Sequence, residues 1–256
     1  MIHQEFGFRG PWPVHPFDDI DTDRPLTHDL FGQVTRKWRV AYLDPPWRFE
    51  NRSELGEDRN PNQHYPTMSL EEIAALPLLD ILDDDAVVFM WVVDPMLPHA
   101  LKLLESWGLT FSTVAAYWAK TWEAADLESM HETKSFPIGT GYITRANPEQ
   151  LWVAKRGQPR LRLHNIDGEI KADMSIRRLQ FAPRGEHSEK PEKFAQIIER
   201  LYEGPYLEMF ARKRRPGWGA WGNQVGLLDE ANEGGRKKAA KVRPVVPLPL
   251  LDALSA

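Results

Sequence analysis

The sequence predicts a three-layer α/β fold with a mainly parallel sheet, and two observations carry that expectation. Short apolar runs alternate with amphipathic stretches between residues 39 and 210, the pattern that strand–helix–strand units leave in a chain. One of those runs, residues 86–93 (AVVFMWVV), is apolar on both faces, as expected of a strand buried in the middle of a covered sheet. In such sheets ligands bind at the carboxyl ends of the strands. That rule points to the residues after Leu43, Val93 and Phe210.

Taken in order, residues 1–35 are rich in Pro, Asp and Gly with little periodicity, and read as an N-terminal arm. The folded domain is expected over residues 36–228. Residues 39–43 (RVAYL) form a short apolar run that stops at Asp44-Pro45-Pro46, where two prolines forbid further strand pairing. Residues 69–76 read as a helix, since Ser69 and Glu72 have capping-box spacing and Pro77 follows. After the 86–93 strand, Asp94 is expected to cap a helix with Leu97, Ala100, Leu101, Leu104 and Trp107 on one stripe, ended by Gly108. Residues 113–119 and 150–154 are two further strands. Pro191 suits the start of a helix whose Phe194, Ile197, Ile198 and Leu201 share one face. Gly204-Pro205 ends it, and residues 206–210 (YLEMF) are strand-like. Residues 229–256 combine Gly234-Gly235, the cations Arg236, Lys237, Lys238, Lys241 and Arg243, and proline-broken leucines. They read as a flexible basic tail.

Composition narrows the function. The 256 residues contain no cysteine, which excludes disulfides, thiolate catalysis and cysteine-held zinc or iron–sulfur centres. Lys plus Arg total 32 against 37 Asp plus Glu, a formal charge of −5, so a nucleic-acid partner would need a local basic patch. No apolar run approaches the about 18 residues of a membrane helix, and residues 1–10 lack the apolar core of a signal peptide. A cytoplasmic protein with no membrane partner is expected. Several motifs fail on inspection. Gly139-Thr140-Gly141 lacks the third glycine of a dinucleotide fingerprint, and there is no Walker loop or Gly-x-Ser-x-Gly elbow. Asp19, Asp21 and Asp23 imitate a calcium loop, but Arg24 and Leu30 stand where Gly and Glu belong. The histidines have no metal-ligand spacing, so no metal is expected.

What remains is Asp44-Pro45-Pro46-Trp47 at a strand's carboxyl end. An adenine amino group is a poor nucleophile because its lone pair is spread into the ring. A side-chain oxygen from Asp44 and a carbonyl from Pro45, held by fixed φ angles, can accept its two N–H groups and localise that pair. Trp47 offers a flat face for the purine. Positioning then supplies much of the rate. The same four residues also suit an ordinary turn, with the tryptophan packed in a core.

The segment 41–47, followed by Tyr65-Pro66-Thr67-Met68, resembles the MT-A-type N6-adenine methyltransferases, the family of the eukaryotic messenger-RNA adenine writers. Further blocks match in the same order: Ala86 to Gly108, Gly141 to Asn147, Lys155 to Gly157, His187-Ser188-Glu189-Lys190-Pro191, Leu207 to Arg212, Pro216-Gly217-Trp218 and Trp221 to Gln224. The resemblance implies a Rossmann-like methyltransferase domain with permuted motif order, the substrate motif preceding the cofactor strand. It also implies S-adenosylmethionine as cofactor, with Asp44, Pro45, Pro46 and Trp47 catalytic. Asp44, Lys190, Phe210, Ala211, Arg212, Asn223 and Gln224 would bind the cofactor. Trp47, Tyr65, Arg48, Arg214 and Arg215 would contact substrate. Ala211 departs from the family, which often has glycine there. The bacterial and phage character of the blocks, with no cysteine for a zinc RNA-reading module, favours DNA over RNA. The chief alternatives are RNA methylation and a catalytically silent nucleic-acid-binding partner. A homo- or heterodimer is left open. The polar stretch 48–64 is expected to act as a lid, and the insertion 121–139 to gate the site.

Overall fold

The computed structural model describes residues 37–48, 67–122, 135–139, 143–185, 189–222, 225 and 228. The N-terminal arm, the basic tail, nearly all of the expected lid, and the site candidates Tyr65, Asn223 and Gln224 lie outside the described residues.

Seven strands form one sheet. β1 (Trp38–Leu43) lies between β2 (Leu82–Val92) and β8 (Tyr206–Met209) and runs parallel to both. β9 (Trp218–Trp221) extends this parallel half beyond β8. On the other side β4 (Glu149–Arg156) separates β2 from β3 (Thr110–Thr121), and β7 (Leu179–Pro183) closes the edge against β3. β4 is antiparallel to both neighbours, while β3 and β7 are parallel. The sheet is therefore mixed but mainly parallel, as expected: among the described strands of the sheet, six run the same way and β4 runs against them.

Helices cover both faces. α1 (Leu70–Ala74), α2 (Leu78–Ile81) and α3 (Leu97–Ser106) bury Ile73, Leu78, Ile81, Ala100, Leu103 and Leu104 against the face holding Ala41, Leu43, Val88 and Met90. α4 (Glu192–Leu201) buries Phe194, Ala195 and Ile198 against Val40, Tyr42, Phe89 and Trp91. Strand alternation on β1 and β2 thus feeds two cores, and Trp91 anchors one of them. Its Nε1 donates to the Tyr42 hydroxyl at 2.7 Å, and its ring meets Phe194 edge-on at 4.8 Å.

The capping box is present: the Glu72 N–H donates to Ser69 Oγ at 3.2 Å and the Ser69 N–H to Glu72 Oε2 at 2.7 Å. Two details of α3 differ from expectation. Asp94 does not cap it; Asp94–Met96 is a 3-10 turn and the Asp94 carboxylate accepts from Gln150 Nε2 at 3.3 Å. Leu101 is half-exposed, and Leu103 takes its place in the buried stripe. β5 (Leu163–Ile166) and β6 (Glu169–Ala172) form a separate hairpin. Asp167 and Gly168 turn it with positive φ angles of 55° and 84°, as a two-residue Asp-Gly turn requires.

Candidate active site

Because β1 and β8 are parallel neighbours with Leu43 opposite Met209, Asp44 and Phe210 emerge side by side at the carboxyl rim of the sheet. α4 begins at the same rim, which places Lys190 between them and β4. Lys190 Nζ donates to Asp44 Oδ2 at 2.8 Å, lies 3.3 Å from Glu149 Oε2, and sits 5.4 Å from the centre of the Trp91 ring. Lys120, near the end of β3, donates to Glu149 Oε1 at 2.5 Å. The result is a row of alternating charge, Asp44–Lys190–Glu149–Lys120, with side-chain exposures of 25, 9, 15 and 23%.

The two carboxylates of the row are not equivalent. Burial pushes the Asp44 carboxyl upward; Lys190 draws it down, Glu149 pushes it up again, and the outcome is a pKa above the ordinary aspartate value. Glu149 feels burial too, but Lys190 and Lys120 outweigh it and hold its pKa down at about 2. Asp44 is thus the carboxylate with proton affinity to spare, and Glu149 the fixed anion. Environments that drive two titratable groups apart in this way mark acid–base sites.

Asp44 and Lys190 open into a cavity also lined by Glu189, Glu192, Glu208, Phe210, Arg212, Lys213, Arg215 and Leu228. Four of these ten residues are acidic and four are cationic, a balance that suits a zwitterion better than a simple anion. Phe210 turns the chain into the cavity with a φ of 61°, a left-handed conformation that costs a non-glycine residue about 1 kcal/mol or more. The Ala211 N–H donates to the Trp221 carbonyl at 2.9 Å. Gly222 closes the corner, where a Cβ would come within 2.8 Å of the Ala211 nitrogen.

Other expected site residues are placed differently. Trp47 is only 4% exposed and packs in the core with Leu43, Met68 and Ile73, so the expectation of a free stacking face is corrected: the hydrophobic gain of burying the indole prevails. Pro45 and Pro46 are also buried. The Pro45 carbonyl accepts the Trp47 N–H at 2.8 Å and that of Pro46 the Met68 N–H at 2.9 Å. Ala211 is 1% exposed and does not line the cavity. Arg215 is expected to contact substrate; instead its side chain is 6% exposed and paired with two carboxylates. Its Nε donates to both Glu192 oxygens at 3.0 and 3.1 Å, and its Nη1 pairs with Glu208. Arg214 is exposed, and Arg48 lies on the surface with Nη2 3.7 Å from Glu72. Glu149 and Lys120 went unread in the sequence. Nothing in the local pattern distinguishes the first residue of a strand as a site residue until the antiparallel β4 brings it to the rim.

Comparison with known proteins matches this arrangement to one family. The MT-A70 family profile matches residues 38–224. The chain is 28% identical over 232 residues to the type II methyltransferase M.MunI of a Mycoplasma species, an alignment spanning 83% of this chain and 84% of that protein. It is 27% identical over 217 residues to the mouse N(6)-adenine-specific methyltransferase METTL4, spanning 81% of this chain and 40% of the relative. It is 26% identical over 202 residues to the human N(6)-adenosine-methyltransferase catalytic subunit METTL3, spanning 77% of this chain and 30% of that one.

Proposed function

The chain belongs to the MT-A70 family of N6-adenine methyltransferases, and from that premise we propose that it methylates the N6 amino group of adenine in DNA. The family implies S-adenosylmethionine as the donor. The observation that carries the reading is the Asp44–Lys190 contact at the joined ends of β1 and β8, inside a cavity of balanced charge. When bound, S-adenosylmethionine supplies a sulfonium methyl group open to attack by an amine.

The residues then divide the work. Asp44 accepts one N–H of the adenine amino group, and the Pro45 carbonyl, with one lone pair used by Trp47, has a second for the other N–H. As N6 gains its methyl it loses a proton, and the Asp44 carboxylate, raised in proton affinity, takes it. Lys190 fixes the orientation of Asp44 and offers its charge to the donor's carboxylate together with Arg212 and Lys213. Phe210 supports the donor's apolar parts. Asn223 and Gln224 are assigned to its ribose hydroxyls, and Tyr65, Arg48 and Arg214 to the nucleic acid. Residues 36–228 make up the methyltransferase domain in this reading. DNA is favoured by the bacterial character of the sequence blocks and by the near full-length match to a type II methyltransferase.

The test is nucleoside mass spectrometry after incubation with S-adenosylmethionine and either DNA or RNA, with Asp44→Ala alongside. N6-methyladenine in DNA from the wild type alone is the expected result. Methyladenine only in RNA would replace the substrate, and no product together with no cofactor binding would overturn the reading.

A further inference from the structure

The ends of β3 and β4 build a second feature on the same rim, beside the catalytic row. Backbone and side-chain hydrogen bonds stitch four segments together there. The Trp122 N–H donates to the Ser135 carbonyl at 3.1 Å, the Gly139 N–H to Ala146 at 2.6 Å, and the Arg184 N–H to Thr121 at 2.8 Å. Asn147 completes the seam. Its Oδ1 accepts the Lys120 N–H at 3.0 Å, while Nδ2 donates to the Lys120 and Pro137 carbonyls at 3.0 and 2.7 Å. What this seam presents to solvent is unusual. Trp122 is 57% exposed, Ile138 65% and Ile143 98%, and exposed Arg145 and Arg184 flank them. Of the two carboxylates beside this surface, Glu149 is taken up by Lys120 and Lys190 and Glu189 lies against Gly185.

An exposed tryptophan held rigidly at its backbone is costly to leave in water and marks a contact surface. Cations around it, in a chain of net charge −5, specify the partner as an anion with flat apolar faces. Aromatic platforms interleaved with cations are how proteins hold unpaired nucleic-acid bases. Location agrees. In strand order β1–β2–β4–β3 Trp122 stands three strands from Asp44, and the register that sets Leu43 in line with Val114 puts it about six residues farther along, a separation of about 24 Å at ~4.8 Å per strand and ~3.3 Å per residue. That is a span of about seven base steps at ~3.4 Å each.

We propose that this rim is a nucleic-acid contact in which Trp122 stacks on an unpaired base about seven nucleotides from the target adenine while Arg145 and Arg184 meet the adjoining phosphates. It rests on the proposed function, and it adds a preference for substrate whose bases are unstacked locally, as extrusion of the target demands.

The experiment uses the full chain and fluorescein-labelled adenine-containing DNA, single-stranded and duplex, read by anisotropy across a salt series. Trp122→Ala should weaken binding about tenfold, the scale lost when a stacking aromatic is truncated, with Trp122→Phe retaining most of it. Arg184→Gln should lower the dependence of log affinity on log salt by about one phosphate contact, whereas Trp122→Ala should leave that slope unchanged. Cofactor affinity should be the same in all variants. Unchanged DNA affinity in Trp122→Ala, or no DNA binding by the wild type, would overturn the proposal. So would a wild type that self-associates through Trp122 with DNA affinity unaffected, since the patch would then be a subunit interface. Product formation by the wild type, measured in parallel, separates this failure from failure of the methyltransferase reading itself.

Discussion

Two ionic assemblies flank the same cavity, and they are built for different ends. In the Glu192–Arg215–Glu208 cluster one guanidinium engages carboxylates from α4 and β8, tying together the helix that follows Lys190 and the strand that precedes Arg212. In the Asp44–Lys190–Glu149–Lys120 row the two lysines hold Glu149 ionised and leave Asp44 with a raised proton affinity. The first assembly joins a helix to a strand and serves as a strut. The second is held uneven, and its uneven member lies at the cavity. The row speaks to chemistry because its two carboxylates are held unequally, and the cluster to architecture because it joins α4 to β8.

Substitutions sharpen that contrast. Removing Asp44 should have the largest effect: Asp44→Ala is expected to lower the methylation rate about a thousandfold, the upper scale for losing one preorganised group at a reacting centre. Single-turnover kinetics with saturating cofactor would check it, and a loss below threefold would remove Asp44 from the chemistry. Arg215→Met should act on stability instead. It strands Glu208 in a protein interior, and breaking a buried pair from one side costs about 3 kcal/mol. Urea unfolding should show that loss, and the added Glu208→Gln change should recover part of it; full stability in the single variant would end the strut's claim. The smallest effect is expected far from both assemblies. Ser69→Ala removes one half of the α1 capping box and should cost about 1 kcal/mol in the same unfolding assay, with the methylation rate at saturation unchanged.

The contrast also explains what was legible in the sequence. Asp44 could be read because two prolines after an apolar run leave few alternatives to a strand end. The α1 cap could be read because Ser69 and Glu72 act within one turn, and α4 because its apolar face repeats at helical spacing. Glu149 could not, because its role depends on β4 running antiparallel between β2 and β3, a long-range pairing with no local sign. Trp47 and Arg215 were misread for a related cause. A tryptophan after a turn and an arginine in a basic run look exposed until the core and the carboxylates that receive them are in place. The β5–β6 hairpin was a different failure, since Asp167-Gly168 is a recognised local turn signal that went unused.

The unequal row is tested most directly by the pH dependence of N6-methyladenine formation in DNA. Asp44 must be ionised to accept the amino N–H, so the rate should fall as pH drops through its raised pKa. The negative charge of Glu149 helps to raise that pKa. Glu149→Gln removes the charge and leaves Lys190 to Asp44 alone, so the acidic limb of the profile should move to lower pH. Such a displacement, with product still formed at neutral pH, is the predicted result. An acidic limb that stays where it is in Glu149→Gln would contradict the coupling between the two carboxylates and, with it, the reading of this rim as the site of methyl transfer.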